Sequence, residues 1–251
     1  MSVEFFLENS YKVSKLITNK YSTSFSIATF MLKKDMRDAI YAIYGFVRLA
    51  DEIVDSFHNF EKAALLQKIE EDLQFALDNG ISTNVILMSF ADTVKKYNIK
   101  REYINAFMES MKYDLTKKEC LTSNDLQKYI YGSADVAGLM CLKVFCNGNE
   151  SLYIRLESLA QKLGSAFQKV NFFRYLKFDM RELGRIYFPE ISTNKFDANA
   201  KKMIEQSIES DFNEAWKGIK ELPGRSKLAV ALAYYYYKSL IKLSKQNQKR
   251  F

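Results

Sequence analysis

Apolar residues return every three or four positions over most of this chain, a pattern that predicts a succession of long helices. Over residues 3–18, Phe5, Phe6, Val13, Leu16 and Ile17 alternate with polar positions and predict a first helix ending near Asn19. In the next piece, YSTSFSIATFMLKKDMRD, Ser22, Ser24 and Ser26 interleave with Phe25 and Ile27. That suits a short strand, or a loop offering hydroxyls and backbone N–H groups to an anion. A helix capped by Asp35 or Asp38 is expected to run to about Phe57, followed by helices over 60–78, 84–97 and 100–117, with Asn79-Gly80 as a stop. From Ser123 a helix is expected through 129–145, then one through 168–179 that ends before Gly184 and Pro189, then two more over 198–221 and 226–246. Two prolines, nine glycines and no flexible linker point to an all-α chain of long helices and short connections, one domain over 1–251.

Two polar stripes interrupt the apolar pattern. In YAIYGFVRLADEIVD, residues 41–55, Asp51 and Asp55 stand i, i+4 and project from one helix face about a turn apart. Stepping back by threes and fours adds Arg48, Tyr44 and Tyr41, so one stripe carries two acids, a guanidinium and two phenols. Such a stripe suits a metal and an anion, and it equally describes the solvated side of an amphipathic helix. The second stripe lies in LGSAFQKVNFFRYLKFDMRELGRIYFP, where Gly164, Gln168, Asn171, Tyr175 and Asp179 share a face with Arg174 beside it. These groups sit among Phe167, Val170, Phe172, Phe173, Leu176 and Phe178, and polar groups amid that much apolar surface need partners. Between the stripes, Gly132, Ser133, Ala134, Ala137 and Gly138 leave one helix thin, so a neighbouring helix or a ligand must approach its backbone. Asp114, in MESMKYDL, is open between burial, capping and exposure.

Composition narrows the partners. The 19 Phe and 16 Tyr are ample for a core and could also line a cavity for a greasy ligand. A net charge of +7 favours phosphate-bearing ligands or an anionic membrane surface over cationic partners. The basic residues are scattered apart from the end Lys245 to Arg250, read as a frayed terminus, so no nucleic-acid partner is expected. Three cysteines without metal-ligand spacing argue against a disulfide framework or structural zinc and fit a reducing cytoplasm. His58, the only histidine, is expected at the surface. MSVEFFLENSYKVSK has no secretory character, and the apolar run Leu228 to Tyr237 is about half a bilayer span, so a soluble or peripheral protein is expected.

Four stretches carry a resemblance to the squalene/phytoene synthase family, the head-to-head prenyl transferases: YSTSF at 21–25, DEIVD at 51–55 with Arg48 before it, YIYGSADVAG at 129–138, and QKVNFFRYLKFD at 168–179 followed by GRIYFP. They occur in the family's order and separations over nearly the whole chain, which looks most like bacterial phytoene synthases. The resemblance implies an all-α isoprenoid-synthase bundle with a central cavity and aspartates facing each other across its mouth. It implies that Asp51, Asp55, Asn171 and Asp179 hold Mg²⁺, for which Mn²⁺ can substitute, and that Arg48, Arg174, Ser22 and Ser24 hold diphosphate oxygens. Tyr129 matches a tyrosine beside the reacting carbons, and Phe25, Tyr44 and Gln168 match cavity positions. Tyr237 matches a C-terminal tyrosine near the cavity, one of a run of four.

The reaction implied is condensation of two geranylgeranyl diphosphates, through prephytoene diphosphate, to phytoene in carotenoid biosynthesis, with no NADPH, in the cytoplasm and peripheral to the inner membrane. The alternatives are a squalene-type synthase acting on farnesyl diphosphate, or a noncatalytic prenyl-diphosphate binder. The last is motivated by one departure: the family's second motif reads N-x-x-R-D-x-x-x-D, and this chain has Tyr175 where the first of those aspartates belongs. A phenol with a pKa of about 10 is a poor Mg²⁺ ligand beside a carboxylate.

Overall fold

The computed structural model describes residues 2–116, 120, 122–191 and 197–247, without the side chains of 182, 183 and 243–247. The side chains of the basic end Lys245 to Arg250 lie outside them. The helices are α1 (Val3–Tyr21), α2 (Thr23–Phe30), α3 (Lys34–Ser56), α4 (Lys62–Asn79), α5 (Val85–Lys96), α6 (Arg101–Thr116), α7 (Ser123–Ile130), α8 (Val136–Cys146), α9 (Glu150–Phe178), α10 (Ala198–Glu221) and α11 (Gly224–Asn247). No strand occurs among the described residues.

Most boundaries follow local chemistry. Asn84 Oδ1 accepts the Ile86 and Leu87 N–H groups and starts α5, while Thr122 and Asp125 form a reciprocal capping box on α7. Gly80, at φ +69°, ends α4 in the left-handed conformation expected of the Asn79-Gly80 stop. Three boundaries differ from the sequence pattern. The serine-rich piece is neither strand nor loop: Ser22 Oγ accepts the Phe25 N–H at 3.3 Å and nucleates α2. Helix α3 starts after Lys33, which supplies no side-chain cap, so neither Asp35 nor Asp38 is the N-cap. The helix from Ser123 is broken by a π-helical turn at Tyr131–Asp135, and α9 runs into a second at Asp179–Leu183. Such turns add a residue to the helical repeat and often mark functional positions.

The core has two parts. Around α3, α5 and α6, Phe46 stacks on Phe90 at 4.1 Å and meets Phe107 edge-on at 5.3 Å, all three fully buried. Around α9, α10 and α11, Phe173, Phe212 and Tyr234 are buried, with Tyr234 edge-on to Phe212 at 5.2 Å. Asp211 on α10 is buried and held to α9 by Lys169 at 2.6 Å and Ser165 at 2.8 Å. The thin helix serves both purposes the sequence left open. A Cβ on Gly132 would stand 2.8 Å from Ala106 O on α6, a helix contact, whereas Ala134, Ala137 and Gly138 line an internal cavity. The segment 123–146 is long and apolar enough to cross a membrane, but 56% of its apolar window is buried inside the fold, as in a core helix. Cys120, Cys141 and Cys146 form no disulfide among the described residues, and His58 is exposed.

Candidate active site

Four carboxylates gather from two helices and a turn. Asp51 and Asp55 come from α3, Asp114 from α6 and Asp179 from the π turn after α9; Asp55 acts electrostatically on each of the other three. Asp51 retains partial solvent access although protein encloses it on nearly all sides, and burial together with Asp55 pushes its carboxyl up to about 7. Burial raises Asp114 to about 6 against the restraining hydrogen bond from Tyr129 and the charge of Arg185. Asp179 also lies near 6, raised by burial and held down by Arg185. Arg185 Nη1 stands 3.7 Å from Asp55 Oδ1, with Tyr187 beside it.

Tyr129 is buried and donates to Asp114 Oδ2 at 2.8 Å, its ring stacked with Tyr187 and Phe172. It belongs to the acidic cluster and is not among the residues lining the cavity. Arg48 lies over the Tyr21 ring at 4.4 Å and pairs with Glu52, yet its Nε is buried without a partner. That orphaned N–H can donate to an entering oxyanion.

Next to the acids lies a cavity of about 280 Å³ walled by α2, α3, α8, α9, α10 and α11. Its lining is almost wholly apolar, with Tyr44, Gln168, Asn171 and Tyr237 as polar members. Tyr44 feels the charges of Arg48 and Asp51, and Asn171 precedes Asp179 by two turns of the α9 face, so these two residues join cavity to acids. Phe25 stacks on Tyr44 at 5.0 Å, and Tyr237 on Phe167 at 4.0 Å. An apolar cavity with convergent polar groups at one end is the usual form of a small-molecule site.

Residues 18–251 match the family model described as squalene/phytoene synthase. The chain belongs to the squalene/phytoene synthase family. It is 28% identical over 211 residues to a 4,4'-diapophytoene synthase of Staphylococcus haemolyticus, covering 82% of this chain and 71% of that one. It is 27% identical over 254 residues to the chloroplastic phytoene synthase 1 of Zea mays, covering 94% of this chain but only 61% of the maize protein. In fold it matches the crystal structure of squalene synthase HpnC from Alicyclobacillus acidocaldarius, with a TM-score of 0.84 at 21% identity over 98% of this chain and 96% of that one. A dehydrosqualene synthase in complex with ligand gives 0.81 at 19% identity, covering 98% of both chains. Squalene/phytoene synthases join prenyl diphosphates head to head.

For this squalene/phytoene synthase family member, the positions named from sequence fall into distinct places. Asp51, Asp55 and Asp179 share one electrostatic cluster; Phe25, Tyr44, Gln168, Asn171 and Tyr237 line the cavity. The Ser22 hydroxyl accepts the α2 cap bond and also hydrogen-bonds the cavity residue Tyr44, and Ser24 lies within that helix. Arg174 is exposed, 5.1 Å above the ring of Tyr175, which is itself 52% exposed. Tyr41, on the Asp51 stripe by spacing, is buried apart from the site, and its phenol responds to Arg37 and Asp38 instead. Asp114, Arg185 and Tyr187 complete the cluster although spacing did not select them; the GRIYFP stretch and the acid in MESMKYDL were the available signals.

The donor set suits a hard dication. Carboxylates raised to 6 and 7, first by burial and then by the charge of Asp55, are short of positive charge, and the guanidiniums of Arg48 and Arg185 do not balance four acids. Among the described residues no three acidic, His or Cys side chains stand close enough to hold a metal alone, so a bound ion would take part of its shell from a ligand or water.

Proposed function

We propose that this chain condenses two allylic prenyl diphosphates head to head in an Mg²⁺-dependent reaction, with geranylgeranyl diphosphate as substrate and phytoene as product. The observation that carries this reading is the juxtaposition of Asp51, Asp55, Asp114, Asp179 and Arg185 with an apolar cavity. Asp51, Asp55, Asn171 and Asp179 would hold Mg²⁺, which when bound neutralises diphosphate as it leaves. Arg48 donates its free Nε–H to a diphosphate oxygen, and Arg185 and Arg174 offset further anionic charge. Tyr129, fixed by Asp114, holds Tyr187 and Phe172 in place behind the acids. The cavity takes the prenyl chains and keeps water from the allylic cation after diphosphate departs. Overall, two substrates yield one hydrocarbon, two diphosphates and two protons, and no reductant is consumed.

A second reading, farnesyl diphosphate as substrate, is favoured by the cavity's volume, which lies just below the roughly 300–1,000 Å³ common for ligand pockets. Incubating the protein with Mg²⁺ and each diphosphate, then identifying the extracted hydrocarbon, separates the two. A 40-carbon product supports the first and a 30-carbon product the second; no product from either overturns the enzyme reading. Tyr175→Asp tests the remaining departure. Restoring a carboxylate four residues before Asp179 is expected to lower the Mg²⁺ concentration for half-maximal rate several-fold. An unchanged Mg²⁺ dependence and yield would show that position 175 does not limit metal binding.

A further inference from the structure

Helices α2 and α11 pack against each other and together form one wall of the cavity, with Phe25, Ala28 and Thr29 on one inner face and Ala229, Val230 and Ala233 on the other. Their outer faces are also apolar. Ile27 and Phe30 on α2 are 57% and 68% exposed; Leu228, Leu232 and Tyr235 on α11 stand at i, i+4 and i+7, and Leu228 and Tyr235 are each more than half exposed. A helix apolar on both sides with one side open to water has an unmatched surface.

Cations collect at one end of this surface. The starts of α3 and α11 meet where Ser226 Oγ lies 3.7 Å from Met36 Sδ. Lys33, Lys34 and Arg37 flank one start, and Arg225 and Lys227 the other, against Asp35 and Asp38. Arg37 lies 5.2 Å over the exposed Phe30 ring, tying the charged end to the apolar face. Lysines and arginines at helix N-termini oppose the helix dipole, which favours acids there, so local stability does not explain them. Lys33, Arg225 and Lys227 make no ion pair among the described residues. An external anion is the matching partner.

We propose that the α2–α11 face docks on an anionic lipid bilayer, with the apolar stripe in the acyl boundary and the five cations against the headgroups. The inference rests on the proposed function only in its purpose: a wall one helix thick would separate a hydrocarbon product from the lipid that dissolves it. Charge complementarity selects the bilayer over a second copy of this chain, whose identical basic end would repel.

The test is co-sedimentation of the full chain with vesicles of phosphatidylcholine alone or with one-third phosphatidylglycerol, without substrate. Binding is expected to the anionic vesicles and to be weak to the neutral ones. Neutralising Lys33, Lys34 and Arg225 with Gln is expected to lower the partition coefficient about 100-fold, at about fivefold per cation near a charged surface. Ile27→Ser with Phe30→Ser and Leu232→Ser is expected to reduce it at least tenfold, while Phe75→Ser with Ile154→Ser, exposed elsewhere, leaves it unchanged. Circular dichroism melts and turnover in detergent are expected to match the parent for all variants. Equal binding to both vesicle types, unaffected binding in the α2–α11 variants, or loss of self-association in place of vesicle binding would each overturn the proposal. Vesicle binding without turnover would leave the docking intact and count only against the enzymatic reading.

Discussion

Asp51→Asn is expected to lower kcat/KM by about 100- to 1,000-fold, the usual loss when one group that stabilises developing charge is removed from an enclosed site. Asp55→Asn should fall in the same range, because Asp55 is the acid that reaches all three others. Asp179→Asn should cost less, on the order of tenfold, because the α9 side already has Tyr175 in place of an acid and Arg185 beside it. Equal losses at all three positions would refute this asymmetry. A stability readout separates chemistry from folding. The Asp51 carboxyl titrates near 7 in the folded protein and near 4 in the unfolded chain, so in metal-free protein its ionisation counts against the fold, increasingly so from about pH 4 to about pH 7. Asn cannot ionise, so Asp51→Asn in chelator should melt no lower than the parent at pH 7, with the advantage shrinking towards pH 4. A lower melting temperature at pH 7 would mean that Asp51 supports the fold and that lost activity is partly lost structure.

The second large effect is on stability. Phe46→Ala removes a fully buried ring from between Phe90 and Phe107 and is expected to cost about 3–5 kcal/mol. Against the roughly 5–15 kcal/mol that holds a typical domain together, that is at least about a fifth of the total. Urea titration should show an earlier midpoint with an unchanged slope, and a loss under 1 kcal/mol would mean that α3, α5 and α6 close over the gap. Because α3 carries Asp51 and Asp55 on another face, the variant's remaining folded molecules should keep their Mg²⁺ dependence.

Much of the site was legible because helical spacing is a local rule. Asp51 and Asp55 on one helix, and Gln168, Asn171 and Asp179 on another, announce a shared face from sequence alone. What brings the two faces together is packing, and neither stripe contains that information. Asp114 shows the limit: its partner Tyr129 lies on a different helix, and nothing in MESMKYDL says that a buried phenol will meet that carboxylate. Arg185 reaches Asp55 only because a π-helical turn and Gly184, at φ +61°, redirect the chain after α9. Ser22 misled for another reason. Alternating serines imitate a strand, but a single hydroxyl accepting the Phe25 N–H is enough to start a helix. The wrong expectation for α3 has the same root, since a cap is decided by backbone geometry and Lys33 occupies the position with no side-chain bond at all.

Part of the cavity wall is built from small residues: Ala28, Ala134, Ala137, Ala160, Ala215 and Ala229, together with glycines at 138, 164 and 218. Its bore is therefore set by the spacing of helix backbones at these positions, and truncating an alanine gains only one methyl. These small positions are thus adjustable in one direction. Each small position can be filled by a larger residue, narrowing or shortening the space in methyl-sized steps. Gly218 and Gly164 are exceptions, because an added Cβ would strike Leu159 at 2.8 Å or Asp135 at 2.9 Å. Widening at these small positions would require helices to move apart, at the expense of packing throughout the bundle. A lineage with this wall can evolve towards shorter ligands by single substitutions, whereas opening the bore at these positions demands concerted change.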